Sequence, residues 1–129
     1  MRYQNEVITL LKELTSNVNY FPGIGWWYFK YGSCQMVYIP TNDTSDMLRL
    51  CIPHFDDTNQ YESESLVVAI NETNREVKYV KVVTLGNGSI SINYDHKYDG
   101  LNDLRSILLH MLKTLCFAAE YLKSKLSEK

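Results

Sequence analysis

The sequence predicts an α+β fold: a five-stranded antiparallel sheet with helices packed mainly on one face, in the order α-β-β-β-α-β-β-α. Three observations lead there. Segments near both ends repeat apolar residues at spacings of three and four, the period of a helix. Segments in the middle alternate at a spacing of two, the period of a strand, and short Gly-containing turns join them as antiparallel neighbours. The chain has 129 residues, 45% apolar and 22% charged, the balance of a folded chain. That length is expected to form one domain over 1–129.

Residues 4–15 form the first helix, because Val7, Leu10, Leu11 and Leu14 line one side while Glu6, Lys12 and Glu13 take the other. Phe21-Pro22-Gly23 is a turn signal, since Pro lacks a donor and Gly permits positive φ. Residues 26–31 are bulky and mostly aromatic, which suits a pleated strand, and Gly32-Ser33 turns the chain into a second strand over 34–39. Pro40 and a polar stretch close it. A third strand, 47–52, runs up to Pro53, which cannot donate to a ladder. A polar loop over 56–60 leads to a second helix, 62–76, with Leu66, Ala69 and Ile70 opposite Glu62, Glu64 and Glu72. The β-branched run 77–85 is the fourth strand, with Val80 and Val82 on one face and Tyr79 and Lys81 on the other. Gly86-Asn87-Gly88 is a hairpin signal, because an Asn-Gly pair tolerates the positive φ values of a type I′ turn. In the fifth strand Ile90, Ile92 and Tyr94 alternate with Ser91, Asn93 and Asp95, so one face is expected packed and the other wet. The last helix carries a long stripe from Leu104 through Leu108, Met111, Leu115 and Leu122 to Leu126, capped by Asn102 or Asp103.

Composition excludes several functions. A formal charge of -2 and a pI near 5.9 give no global positive field for nucleic acid or an anionic membrane. No stretch reaches the ~18 apolar residues of a membrane span, and no basic-then-apolar leader opens the chain, so a cytoplasmic location is expected. Cys34, Cys51 and Cys116 are widely spaced, form no CxxC pair and lie in apolar runs, so they read as reduced core thiols. His54 lies near Asp56 and Asp57, and His96 near Asp95 and Asp99, but neither set has the ligand spacing of a metal site. His110 sits beside the apolar stripe of the last helix and reads as a helix-surface residue. No Gly-x-Ser-x-Gly elbow occurs, and Gly23-Ile24-Gly25 and Gly86-Asn87-Gly88 are too short to cradle phosphate. The chain is therefore expected to be no enzyme, with no catalytic residue, no metal and no cofactor.

The aromatic residues point elsewhere. Eight of the sixteen lie between Tyr20 and Tyr38. Along a strand, Trp26, Tyr28 and Lys30 face one way while Trp27, Phe29 and Tyr31 face the other, so helices on one side cover only one row. An uncovered row of rings is an interface signal, because Trp and Tyr bring large contact area at small entropy cost. Trp26, Trp27, Tyr28, Phe29 and Tyr31 are thus the expected partner-binding residues. Base stacking would use the same rings, but only Lys30 lies among them, so nucleic acid is not the expected partner.

The element order and particular segments resemble the type III secretion chaperone-like fold and, within it, the YbjN-like proteins. The matching stretches are Phe29-Lys30-Tyr31-Gly32, Leu48-Arg49-Leu50-Cys51-Ile52-Pro53, Ala69-Ile70-Asn71-Glu72-Thr73-Asn74, Val77-Lys78-Tyr79-Val80-Lys81-Val82 and Ile90-Ser91-Ile92-Asn93-Tyr94-Asp95-His96. Two tryptophans and Pro22-Gly23-Ile24-Gly25 at the first strand depart from the pattern. The resemblance implies a small homodimer that binds an extended segment of a client protein, with Leu66 and Ile70 at the dimer interface. A second function class stays open: a small-molecule sensor or enzyme whose pocket is walled by the aromatics, with His54 or His96 as polar handle.

Overall fold

The computed structural model describes residues 3–42, 46–100 and 103–127. Helix α1 (Gln4–Leu14) is followed by strands β1 (Ser16–Phe21), β2 (Trp26–Tyr31), β3 (Cys34–Tyr38) and β4 (Met47–Asp57). A 3-10 turn (Thr58–Gln60) leads to α2 (Ser63–Glu76), β5 (Val80–Thr84), β6 (Ser89–Lys97) and α3 (Leu104–Ser127). All strand pairs are antiparallel in one sheet of order β1-β2-β3-β4-β6-β5. The fold is therefore α+β, but the sheet has six strands where five were expected.

The extra strand is β1. Its sequence, Ser-Asn-Val-Asn-Tyr-Phe, lacks alternation: only Val18 is partly buried, and Asn17 has φ 56°. Pairing with β2 makes it a strand, with an irregular register between Ser16 and Asn19. The connecting turn closes through Gly25 N–H to Phe21 O at 2.8 Å, with Gly25 at φ 79°, a conformation that favours glycine.

Two other boundaries differ from expectation. β4 continues through Pro53 to Asp57, so Asp56 and Asp57 belong to a strand and not to a loop. The ladder to β6 is broken locally: Ile52 opposes Ile92, and pairing resumes only at Asp56 with Ile90. Three β4 residues there face a single residue of β6, a bulge at the proline that cannot donate. β5 begins at Val80, because Val77 caps α2 and Tyr79 takes φ 75° in the turn between them.

One face of the sheet builds the core. Phe29, Met36, Tyr38, Leu48, Leu50, Ile52, Val80, Val82, Ile90, Ile92 and Tyr94 pack with Val7 and Leu11 of α1, Leu66 and Ala69 of α2, and the stripe of α3. Each fully buried large side chain contributes about 1.5–3 kcal/mol relative to exposure. The helices are laced together at their surfaces by Arg105–Glu13 at 2.8 Å and Lys125–Glu72 at 3.4 Å. Asp103 caps α3: its carboxylate accepts the Arg105 N–H at 3.1 Å and the Ser106 hydroxyl at 2.8 Å. The Ser106 bond is the main cause holding its carboxyl below the ordinary value. Asn102 lies outside the described residues. No helix is long and apolar enough to cross a membrane, among the described residues.

The two outer edges of the sheet differ. At β5 the side chain of Asn74 on α2 accepts the Val82 N–H at 2.6 Å and donates to the Val82 C=O at 3.1 Å. It occupies that edge as a strand neighbour would. Among the described residues, no helix side chain takes that role at β1.

Candidate functional site

Strand periodicity separates the two rows of β2 rings, and the core packing decides their fates. Phe29 is 1% exposed and lies in the core, and Trp27 and Tyr31 lean on it from the same side. Trp27 also packs on Tyr20 at 4.9 Å between ring centroids and sits under the Lys12 ammonium. Phe29 is therefore corrected: a ring in the core does not reach a partner. Trp27 and Tyr31 are half-buried against the core, and Trp26 and Tyr28, also half-buried, lie on the face without helices. Phe21 of β1 joins them, with its ring 4.7 Å from that of Tyr28, and Trp26 lies 6.3 Å from Tyr28. Phe21 was missed because its strand was missed.

Beside these rings the uncovered face is not wet throughout. Val37, Cys51 and Ser91 are buried there although all three lie outside the core under the helices. Tyr28 opposes Val37, Val37 opposes Cys51, and Cys51 opposes Asn93, so they form a strip across four strands. This corrects the expectation of a wet row at Ser91, whereas Asn93 is half-buried and Asp95 exposed. Burial pushes the Cys51 thiol up to about 12, helped by the charge of Asp95. Farther along, Arg49 meets its cross-strand partner Asp95 through two bonds of 3.1 and 3.3 Å.

A cleft opens where β3 and β4 part. Their register holds only at Val37 with Cys51 and Tyr38 with Leu50, extended by Ile39 N–H to Arg49 O at 3.0 Å. Toward the start of β3, Cys34, Gln35 and Met36 pair with β2 alone, and Pro53 to Phe55 of β4 have no register partner in β3 or β6. The space between them is about 950 Å³. Its walls come from Tyr28, Cys34, Gln35 and Met36, from β4 between Ile52 and Asp56, from Tyr61, and from Ala119, Lys123 and Leu126 of α3. Because backbone groups alternate sides along a strand, the N–H and C=O of Gln35 point the same way as those of Ile39, into this gap.

His54 and Asp56 both line the cleft. Asp56 accepts hydrogen bonds from the Tyr61 hydroxyl and, at 2.8 Å, from the Asp57 N–H, which ties the end of β4 to the segment before α2. The bond to Asp56, ahead of burial, pushes the Tyr61 hydroxyl up to about 12. His96 is elsewhere: its ring lies 6.3 Å from that of Tyr94. Tyr94 also stands edge-on to His110. Among the described residues no three His, Cys, Asp or Glu side chains converge as a metal site would require.

On α2, Leu66 is 7% exposed and Ile70 packs against the core. The exposed apolar residues of that helix are Val67 and Val68. Leu66 is thus corrected from interface to core, because the helix turns that side toward the sheet.

No family model and no curated protein matches the chain. Among solved structures it is similar to an uncharacterized protein from Methanothermobacter thermautotrophicus, with a TM-score of 0.67 and 14% identity over 97% of this chain and 96% of that one. At that identity the similarity shows a shared fold.

Proposed function

We propose that this chain is a non-enzymatic interaction module that binds an extended peptide or protein segment in the cleft between β3 and β4. The observation that carries this is the parting of two neighbouring strands. Cys34 to Met36 have a free side within the sheet, beside apolar walls and next to the half-buried ring of Tyr28. An added strand gains main-chain bonds from such an edge and specificity from alternate side chains. Pro53 has no N–H to offer, so the pairing partner is the Gln35 side. The resemblance to secretion chaperones, which bind extended client segments, agrees with this reading. It also implies a homodimer, and an α2 interface would then use Val67 and Val68 in place of Leu66.

A small-molecule role is the second reading, favoured by one observation: the cleft lies within the ~300–1,000 Å³ of ligand pockets and holds His54 as a polar handle. Selection of a displayed random-peptide library separates the two. Extended peptides with alternating apolar residues should be enriched on the protein. Their affinity should fall at least about tenfold for Gln35→Pro, which removes one donor facing the cleft and leaves the β2 bonds in place. No enrichment, or enrichment equal on a folded Gln35→Pro variant, overturns the strand-addition reading.

A further inference from the structure

We propose that Cys34 and Cys116 are a dithiol site that a small-molecule disulfide such as oxidised glutathione converts into an intramolecular disulfide. The two lie 82 positions apart in sequence, yet the Cys116 thiol donates to the Cys34 sulfur at 3.3 Å, with Tyr31 O at 3.7 Å as its other acceptor. Both are partly exposed, and Cys34 lines the cleft, so a reagent reaches it. Cys51 is 4% exposed and belongs to the other face of the sheet.

The geometry gives the two sulfurs different tasks. Burial and the neighbouring Cys34 push the Cys116 thiol up to about 12, so it keeps its proton at neutral pH. Cys34, which lines the cleft, is the sulfur the reagent meets, and Cys116 stands behind it. The Cys34 sulfur loses its proton and attacks one sulfur of the reagent, forming a mixed disulfide while the S–S bond of the reagent breaks and the first glutathione leaves and takes up a proton. Cys116 then attacks the Cys34 sulfur, the mixed disulfide breaks, and the proton of Cys116 passes to the second departing glutathione. Two protein thiols are oxidised while one small disulfide is reduced to two thiols. The new bond ties the start of β3 to the middle of α3. This site stands on the thiol geometry and does not depend on peptide binding.

The folded protein is incubated with oxidised glutathione, blocked with an alkylating reagent and digested with trypsin. Cleavage at Lys30, Arg49, Lys113 and Lys123 places Cys34 on 31–49, Cys116 on 114–123 and Cys51 on a third peptide. The expected product is 31–49 linked to 114–123, two hydrogens lighter than the separate peptides, with Cys51 free. Closing so long a loop should raise Tm by roughly 10 °C, reversed by dithiothreitol. Cys34→Ser and Cys116→Ser should each abolish the rise; Cys34→Ser should leave Cys116 unmodified, and Cys116→Ser should stop at a glutathione adduct on Cys34. Persistent adducts on the wild type, links between molecules, pairing with Cys51, or no reaction overturns the proposal.

Discussion

Replacing Asn74 by Ala should release the outer edge of the sheet at β5. The side chain makes two bonds to a single residue, accepting the Val82 N–H at 2.6 Å and donating to its C=O at 3.1 Å, and Val82 is 2% exposed. A buried backbone group left unpaired costs about 1–3 kcal/mol. Asn74 itself is exposed, so water reaches the vacated position and the cost lies toward the lower end for each group. Ala is also a better helix former than Asn, returning about half a kcal/mol. The net loss is therefore about 1–2 kcal/mol, a fall of roughly 4–8 °C in Tm for a chain of this size. Thermal and urea unfolding measure it, and hydrogen exchange should show the Val82 amide losing protection ahead of the rest of β5. Asn71→Ala, one turn earlier on an exposed position, should stay within about 0.5 kcal/mol of wild type. Asn74→Asp keeps the acceptor and loses the donor, so it should fall between. Equal stability of the Asn74 and Asn71 variants, with Val82 still protected, would refute the clamp.

The two rows of β2 should separate cleanly in unfolding experiments: Phe29→Ala empties a core position at a cost of about 3–5 kcal/mol, whereas Trp26→Ala should cost about 1 kcal/mol or less. A Trp26 variant that unfolds at room temperature would show that the row on the face without helices is structural. Tyr61 supplies a pH test. Its ionisation in the folded protein is raised to about 12 by the bond to Asp56, above the ordinary 10.0. A raised folded value means the stabilisation is fully present below pH 10 and is lost as pH climbs toward 12. Tyr61→Phe should therefore lower Tm at pH 8 and approach wild type at high pH, with one fewer tyrosine in the late step of the ultraviolet tyrosinate titration. A titration unchanged by the substitution would count against the bond.

Much of the fold is legible because it depends on local period. The α3 stripe and the alternation of Ile90, Ile92 and Tyr94 each repeat long enough to outweigh context. β1 fails this criterion: Asn17 and Asn19 flank Val18, and only pairing with Trp26, Trp27 and Tyr28 makes it a strand. Pro53 misled the reading of β4 for a related reason. It interrupts the ladder, and the strand resumes beyond it because Ile90 and Ser89 are there to receive Asp56 and Asp57. The candidate site was legible in half. Alternation shows that β2 carries two rows of rings, but not which row the helices cover.

By itself, then, the amino-acid order determined the helices, most strands, and the division of the aromatic residues between two faces, because each follows from spacing along the chain. Only the tertiary structure decided that Phe29 is core while Trp26 and Tyr28 lie half-buried on the face without helices, that β3 and β4 part to form a cleft, and that Cys34 meets Cys116. Those outcomes depend on which distant segment packs against which face, and on where a bulge at Pro53 bends one strand from its neighbour. Side-chain spacing sets what a segment presents; packing between segments sets what is left uncovered.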